Sequence, residues 1–316
     1  MDWNSSAALF PGQGSQVVGM GADFARTYSA ARETFEQADE ILGFGLSRVC
    51  FKGPGNKLDQ TVVTQPALYV CSIAIWRVLR ELLPSAQPAW MAGHSLGEFS
   101  ALTSSNALSF QDGLRLVQAR GWFMQQAGEG NPGAMAAILA LDIQQVESLC
   151  AEVSAETGQI VVLANDNCPG QAVVSGNIAA VDRLIERASA AGARRAVKLS
   201  VSVAAHSPLM AAALEGFLEV VHSTPFSPPD PSVYGNVSAQ PLATAAEIKI
   251  ELDQQLTRSV RWTDSMRSLI GAGAETFIEI GSGSVLTGLM RRIDRSKKRV
   301  NLNSVAALNA FLESLA

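Results

Sequence analysis

The sequence predicts an α/β protein in which a large domain with a parallel sheet core carries an inserted smaller domain. Three observations lead to this fold class. Short apolar strands alternate with helical patterns along most of the chain, which is typical of parallel sheets. Residues 133–200 instead follow the order β-α-β-β-α-β, which is that of a ferredoxin-like unit. The chain has 316 residues, of which 47% are hydrophobic and only 17% charged, so it can bury a large core.

The N-terminal 130 residues begin with a strand and continue through helices to a second buried strand. Pro11 ends the first apolar run, and Pro84 and Pro88 end a long apolar helix. The predicted elements are, in order, strand Ala7–Phe10, a helix from about Met20, helices Ala30–Leu42 and Gln65–Leu83, strand Ala89–Ala92, a helix from Leu96 and helix Asp112–Gln126.

A separate small domain is predicted for residues 131–200, which leaves 1–130 and 201–316 as one discontinuous large domain. Asp142 is a suitable N-cap for the first helix of the small domain. A turn is predicted at Asn167–Gly170, because Asn, Pro and Gly cluster there. The predicted strands are Gly133–Leu141, Ile160–Asn165, Gln171–Ser175 and Ala193–Val201, and the predicted helices are Asp142–Glu156 and Asn177–Ala191.

The last third of the chain returns to the large domain. Ser207 is a suitable N-cap and Pro208 suits the first helical position, so a helix is predicted from there to about Val221. A proline-rich connector follows over residues 224–231. The remaining predicted elements are strand Val233–Val237, a pair of helices and strand Thr276–Ile280.

Charge and residue spacing argue against several function classes. The net charge is −5, so the chain has no basic field for nucleic acid. No unbroken apolar run reaches the ~18 residues of a membrane span, and the first residues lack signal-peptide features. The three histidines and four cysteines have no metal-site spacing, and the cysteines are predicted to be reduced core residues. We therefore expect a cytoplasmic protein without a membrane or nucleic-acid partner.

The pentapeptide Gly-His-Ser-Leu-Gly at positions 93–97 follows an apolar strand and precedes a helix. That is the context of a G-x-S-x-G nucleophile elbow, in which a sharp turn exposes the serine hydroxyl. Ser95 is therefore the candidate nucleophile, and the backbone N–H of Leu96 would point at the oxyanion of an intermediate. The alternative is a tight turn in which the serine only caps a helix.

A nucleophilic serine needs a base, and His94, His206 and His222 are the histidine candidates. His94 adjoins Ser95 on an extended segment and points away from it, which still allows it to line the pocket from behind. His222 lies at a helix C-terminus before the proline-rich connector, where a solvated capping role is expected. His206 directly precedes the N-cap Ser207, and a helix N-terminus disfavours imidazolium, so we predict that this neutral ring is the base.

Arg120 lies on the apolar stripe of its predicted helix, whereas Arg115 lies on the polar side. A buried guanidinium needs an anionic partner. Two partners stay open at this point. One is a structural Asp or Glu in an internal salt bridge, and the other is the carboxylate of a substrate held in a bidentate manner.

Two glycine-rich loops begin at Gly12 and Gly281. Neither matches a dinucleotide fingerprint, because Val17 and Leu286 stand where the third glycine is required, and neither contains a P-loop lysine. Both are predicted to be turns at strand ends, on the edge where the active sites of parallel sheets lie. Gln13 would then supply a second oxyanion donor.

These motifs together resemble the malonyl-CoA:acyl carrier protein transacylase family, whose relatives include the acyltransferase domains of polyketide synthases. The resemblance covers the whole chain, and the order of its motifs makes it specific. The segments that carry it are Phe10–Gln16, Gly93–Glu98, Gln118–Gly121 followed by Met124–Gln125, Asn165–Gln171, Val203–Ser207 and Glu279–Gly283.

The resemblance implies an α/β-hydrolase-like large domain with a ferredoxin-like insert. It also implies a Ser-His dyad, an oxyanion hole of two backbone N–H groups, an arginine that grips the malonyl carboxylate, and a backbone carbonyl that orients the histidine. The residues concerned are Ser95 and His206 for the dyad, Gln13 and Leu96 for the oxyanion hole, and Arg120 with Gln13 and His94 for substrate binding.

The chain departs from the family pattern near that carbonyl. Some members have a glutamine there, and the stretch aligned with it here, Ser259–Trp262, has Arg261 instead. Val203, Ala204 and Ala205 before the histidine are small and would not block a methyl branch. Malonyl is therefore expected over methylmalonyl because of its frequency in the family and not because of a steric barrier.

The implied activity is transfer of a malonyl group from coenzyme A to the phosphopantetheine thiol of acyl carrier protein, which supplies fatty acid synthesis. The implied partners are malonyl-CoA and acyl carrier protein, and no metal or cofactor is implied. Three alternatives stay open: a stand-alone polyketide or malonate-decarboxylase acyltransferase, a serine thioesterase or esterase, and a non-catalytic module that docks carrier proteins. Arg120 argues against the esterase, and the presence of Ser95 and His206 argues against the module.

Overall fold

The chain forms two β-sheets flanked by helices, described by a computed structural model for residues 1–199, 201 and 203–315. The strands are β1 Ser6–Phe10, β2 Trp90–Gly93, β3 Gly133–Leu139, β4 Val161–Cys168, β5 Gln171–Asn177, β6 Arg195–Lys198, β7 Ser232–Tyr234, β8 Pro241–Leu242, β9 Thr276–Ile280 and β10 Lys298–Leu302. The helices are α1 Ala22–Thr27, α2 Ser29–Leu42, α3 Leu46–Lys52, α4 Gly55–Leu58, α5 Thr61–Leu82, α6 Gly97–Ser104, α7 Phe110–Gly130, α8 Ile143–Thr157, α9 Ile178–Ala190, α10 Ala211–Ser223, α11 Ala245–Gln255, α12 Trp262–Gly271, α13 Val285–Ile293 and α14 Val305–Glu313.

The larger sheet has six strands in the order β10-β9-β1-β2-β7-β8. The first five are parallel, and β8 pairs with β7 in the antiparallel sense. Because parallel strands end at the same edge of a sheet, the loops that follow β1, β2 and β9 lie next to one another. This edge brings together Gln13, Ser95 and the loop Gly281–Gly283, which are far apart in the sequence.

The smaller sheet has four antiparallel strands in the order β4-β5-β3-β6. With α8 and α9 packed against it, the chain order β3-α8-β4-β5-α9-β6 is the ferredoxin-like arrangement that the sequence predicts. Its apolar side chains form a core of their own. The predicted fold class is therefore confirmed, while the domain boundaries at residues 131 and 200 stay a prediction.

Helix caps account for several elements that the sequence places well. Asp142 caps α8 in a capping box with Gln145. Ser207 caps a short 3-10 helix with Pro208 at its start, and α10 follows directly. Ser109 caps α7, which therefore begins at Phe110, two residues before the predicted start.

Other predicted bounds were wrong. Strand β4 runs to Cys168, so Asn167 belongs to a strand and not to the predicted turn. The pairing of β4 with β5 has two register irregularities, between Leu163 and Asn165 and between Asp166 and Cys168. The predicted strand Ala193–Val201 is shortened to β6, and its Ser200 lies outside the described residues.

Two elements near the C-terminus were not predicted, and one helix of the large domain is longer than predicted. Strand β10 and helix α14 were not predicted, and α5 begins at Thr61, four residues before the predicted start. By length and composition α5 could cross a membrane, but 89% of its most apolar 18-residue window is buried in the protein. It is packed as a core helix, against α2 and α7.

Candidate active site

The turn between β2 and α6 has the backbone geometry of a nucleophile elbow. Ser95 has a φ of +52°, in the left-handed region that non-glycine residues rarely adopt. A Cβ atom on Gly93 would lie 1.9 Å from the carbonyl carbon of Gly97, and one on Gly97 would lie 2.0 Å from the carbonyl oxygen of Phe10. Only glycine fits at both positions, so the tight turn holds the strained serine in place.

Asn236, in the loop after β7, holds the backbone of this turn. Its Oδ1 accepts a hydrogen bond from the Ser95 N–H at 2.6 Å, and its Nδ2 donates to the Gly93 carbonyl at 2.7 Å. The asparagine is buried. The Ser95 N–H is therefore occupied and is not a donor to a reaction intermediate.

Ser95 and His206 are in direct contact. Ser95 Oγ lies 2.8 Å from His206 Nε2, and His206 Nδ1 lies 2.8 Å from the carbonyl oxygen of Gln255. Because a carbonyl oxygen can only accept, Nδ1 carries the hydrogen and Nε2 is free to accept from the serine hydroxyl. Gln255 is the last residue of α11, where carbonyl groups have no partner within the helix. The helix end thus supplies the group that orients the ring.

The sequence alignment placed this carbonyl in the wrong stretch of the chain. The carbonyl belongs to Gln255 and not to Ser259–Trp262, so the glutamine that appeared to be missing is present four residues earlier. Arg261 is exposed and binds Asp264 at 2.8 Å, at the start of α12. Its side chain therefore takes no part in orienting the histidine.

The environment of His206 favours the neutral ring. Burial is the main cause, and the charge of Arg120 adds to it, so that the pKa of His206 falls to about 3. The hydrogen bond to the Gln255 carbonyl acts in the opposite direction. The pKa of His206 is lowered, as expected. The causes are burial and the neighbouring Arg120, and not the helix N-terminus on which the prediction was based.

This pKa predicts how acylation of Ser95 depends on pH. His206 is neutral at any pH above its pKa of about 3, so the rate of acylation should not change between about pH 5 and pH 8. The measurement is rapid-quench formation of the acyl-enzyme from malonyl-CoA across this range. A rate that falls about tenfold per pH unit below pH 6.5, as for an ordinary histidine, would contradict the buried, neutral base.

Arg120 lies on the buried face of α7 and is 1% exposed. Its Nη1 donates to Oε1 of Gln65 at 2.9 Å, and its Nη2 donates to Oε1 of Gln255 at 2.9 Å and to Ser95 Oγ at 3.1 Å. The guanidinium also lies over the ring of Phe99. All its hydrogen-bond partners are neutral groups.

The salt-bridge alternative for Arg120 finds no support in these contacts. Within the part of the chain that the structure describes, no carboxylate forms an ion pair with this guanidinium. Burial lowers the pKa of Arg120 to about 10, and the nearby Glu98 opposes the decrease, so the side chain remains charged at neutral pH. A buried cation without an anion in contact is suited to binding an anionic ligand.

A cavity of about 200 Å³ lies between the two sheets, with Ser95, His206 and Arg120 in its wall. Two further predicted residues, Gln13 and His94, also line it. The small domain contributes side chains of β3, β4 and β5, and α13 covers another part. The cavity residues from these elements are Met135, Asn165, Asn167, Gln171, Val173, Val285, Leu286 and Leu289.

His94 forms part of the cavity wall but does not contact Ser95 Oγ. Its Nε2 lies 2.8 Å from Asn167 Oδ1, and its ring packs against Trp262. Burial lowers the pKa of His94. The ring is thus a neutral hydrogen-bond donor, held between the two sheets.

The two predicted oxyanion donors are both available. Among the described residues, no acceptor binds the backbone N–H of Gln13 or that of Leu96. The Leu96 side chain is buried in the core, so only its backbone faces the turn. An oxyanion hole requires two such unpaired N–H groups near the nucleophile.

Four site residues escaped the sequence analysis: Gln65, Glu98, Asn236 and Gln255. A signal existed for two of them. Gln65 is a polar residue inside an apolar helix, and Glu98 is an acid in the first turn of an apolar helix, directly after the serine motif. Asn236 and Gln255 lie in ordinary polar surroundings in the sequence, and only the folded chain brings them to Ser95.

Comparisons with known proteins agree with this geometry. The model of the acyl transferase domain family matches residues 8–309. A malonyl CoA-acyl carrier protein transacylase of Haemophilus influenzae is 42% identical over 309 residues, 98% of each chain. The chain belongs to the malonyl CoA-acyl carrier protein transacylase family.

Solved structures of this transacylase family have the same fold. An acyl carrier protein S-malonyltransferase of Vibrio cholerae has a TM-score of 0.94 at 41% identity, covering 98% of this chain and all of the other. A malonyl-transacylase solved in complex with a type II PKS acyl-carrier protein also has a TM-score of 0.94, at 40% identity and the same coverage.

Proposed function

We propose that this protein transfers the malonyl group of malonyl-CoA to the phosphopantetheine thiol of acyl carrier protein, through a malonyl ester on Ser95. The observation that carries the proposal is the position of Arg120. Its Nη2 lies 3.1 Å from Ser95 Oγ in the wall of the cavity, and its hydrogen-bond partners among the described residues are all neutral. A short acyl group with a carboxylate at its far end supplies the missing anion.

The first half of the reaction acylates the serine. His206 Nε2 takes the proton of Ser95 Oγ as that oxygen attacks the thioester carbonyl carbon. The N–H groups of Gln13 and Leu96 stabilise the oxyanion of the tetrahedral intermediate. The bond from carbon to the CoA sulfur then breaks, and His206 returns its proton to the leaving thiolate.

The second half passes the malonyl group to the carrier. His206 accepts the proton of the phosphopantetheine thiol, and the sulfur attacks the carbonyl carbon of the malonyl-serine ester. The bond from carbon to Ser95 Oγ breaks, and the proton returns to the serine. Ser95 accepts the malonyl group in the first half and gives it up in the second, and His206 transfers the proton in both. One site therefore serves coenzyme A and acyl carrier protein in turn.

The malonyl carboxylate pairs with Arg120 throughout, which orients the acyl group and selects a dicarboxylic one. Gln65 and Gln255 support the guanidinium from two sides, and His94 completes the cavity wall. The esterase alternative is disfavoured because the histidine is oriented by a backbone carbonyl and not by an acidic residue. We place the activity in the cytoplasm, where it would supply malonyl-carrier for fatty acid synthesis.

The test of this function is a change in substrate selectivity in the variant Arg120→Ala. Removing one partner of a buried ion pair costs roughly 2–5 kcal/mol, so kcat/KM for malonyl-CoA should fall by about 30-fold to several thousand-fold. Acetyl-CoA has no carboxylate and leaves the wild-type guanidinium buried without an anion. Its transfer should therefore stay constant or increase in the variant.

The measurement is kcat/KM for both thioesters in both proteins, with transfer to a carrier protein as the readout. Arg115→Ala is the matched control, because Arg115 lies on the same helix but is exposed. Equal decreases for malonyl-CoA and acetyl-CoA in Arg120→Ala would mean that the arginine only stabilises the fold, and would overturn its proposed role.

A further inference from the structure

Glu98 is a fully buried acid that the reaction itself does not use. It lies in the first turn of α6, three residues after Ser95, and has no exposed surface. Burial raises the pKa of Glu98 well above its ordinary value, and the nearby Glu251 adds to the increase. A buried carboxyl group is costly for a fold, so its contacts indicate what it is retained for.

Each oxygen of Glu98 accepts one hydrogen bond from a residue of the site. Oε1 accepts from the backbone N–H of Asn236 at 3.1 Å, and Oε2 accepts from Nε2 of Gln255. Asn236 is the residue that holds the backbone of Ser95. The carboxyl group therefore lies beneath the serine turn and joins the two residues that support it.

The contact between Glu98 and Gln255 helps to determine the orientation of the side-chain amide of Gln255. Its Nε2 donates to Glu98 and to the Ser95 carbonyl, the latter at 3.0 Å, which leaves Oε1 to accept from Nε and Nη2 of Arg120. If the amide were flipped, its NH2 group would face the N–H groups of the guanidinium, and donor would meet donor. The acceptor at Glu98 adds to the Ser95 carbonyl and the guanidinium donors in excluding the flipped amide.

We propose that Glu98 is a positioning residue for the transfer reaction: it fixes the amide of Gln255 so that the amide oxygen faces Arg120 and holds the guanidinium towards the acyl group. This inference rests on the proposed function, because it assigns Glu98 an effect on the recognition of the substrate carboxylate. Gln255 is the link, since its backbone carbonyl orients His206 and its side chain orients Arg120.

The test is the variant Glu98→Gln, which has nearly the same shape and one acceptor fewer. The two oxygens of a carboxyl group both accept hydrogen bonds, whereas the NH2 group of glutamine cannot. The single oxygen of the new glutamine can accept from the backbone N–H of Asn236 or from Nε2 of Gln255 in its present orientation, but not from both. We expect the ratio of kcat/KM for malonyl-CoA to that for acetyl-CoA to fall about tenfold, as for the loss of one hydrogen bond to a charged group.

Glu251→Gln is the matched control. Glu251 is also a buried acid, and its oxygens accept from the backbone N–H groups of Val237 and Ser238. Among the described residues no hydrogen bond joins its side chain to Gln255 or Arg120, and it lies near enough to Glu98 that its variant also tests whether the loss of a neighbouring charge alone changes the ratio. Its variant should lower the melting temperature while the malonyl-to-acetyl ratio stays within about twofold of wild type.

The outcomes separate the possibilities. An unchanged ratio in folded Glu98→Gln, or an equal fall in Glu251→Gln, would overturn the positioning role, because the acid would then serve only the fold. If Glu98→Gln does not fold, Gln255→Met removes the amide and keeps the backbone carbonyl; it should lower the ratio, and an unchanged ratio would overturn the proposal. A wild-type enzyme without preference for malonyl-CoA would overturn the proposed function itself.

Discussion

Ser95→Ala should abolish the covalent acyl-enzyme and lower the rate of malonyl transfer by as much as about 10⁶-fold. The reason is that, in the described part of the chain, Ser95 Oγ is the one hydroxyl group in contact with both His206 Nε2 and Arg120 Nη2. The measurement is intact mass after incubation with malonyl-CoA. Wild type should carry one malonyl group, and the variant none.

Ser100→Ala is the control for this experiment. Ser100 is a buried serine of α6, the helix that follows the turn of Ser95, and among the described residues its hydroxyl has no hydrogen-bond partner. Its variant should keep the adduct. A malonyl group that persists on Ser95→Ala would show that the nucleophile lies elsewhere and would overturn the mechanism from its first step.

His206→Ala should lower the rate of acylation by about 10⁴-fold or more, because the serine then has no group to accept its proton. Binding of malonyl-CoA should change little, since the guanidinium of Arg120 remains in place. The measurement is the single-turnover rate of acyl-enzyme formation, together with the affinity of Ser95→Ala and His206→Ala/Ser95→Ala for malonyl-CoA.

His222→Ala is the matched control for the base. His222 is exposed at the end of α10, where its Nε2 lies 3.1 Å from Asp253 on the protein surface. Its removal should leave the acylation rate within about twofold, as for a surface substitution away from the site. Equal losses from the two histidine variants would mean that the contact between Ser95 and His206 does not carry proton transfer.

Local patterns in the sequence were sufficient to single out Ser95 as the candidate nucleophile and to predict that Arg120 is buried. A strand, a Gly-x-Ser-x-Gly turn and a helix follow one another within a dozen residues, so the elbow could be predicted without knowledge of any distant residue. The burial of Arg120 followed from helical periodicity alone, because it shares a face with Leu116, Val117 and Met124.

The small domain was predicted from the order of its elements, but not its exact strand ends. Strand β4 continues past its predicted end at Asn165 to Cys168, because β5 pairs with it as far as Cys168, inside the predicted turn. Both asparagines line the cavity, and His94 binds Asn167. Pairing between strands adds hydrogen bonds that no local turn preference contains.

The sequence by itself determined the fold class, the serine and histidine of the dyad as candidates, and a buried cation that needed an anion. Only the tertiary structure decided what surrounds them. Gln65 and Gln255 are 55 and 135 residues from Arg120, and Gln255 is 160 residues from Ser95, yet all meet in one buried network. The physical reason is that periodicity and capping reflect interactions within a few residues. Whether Arg120 forms a salt bridge or has no anionic partner depends instead on which distant side chains the packed sheets and helices bring within hydrogen-bond distance.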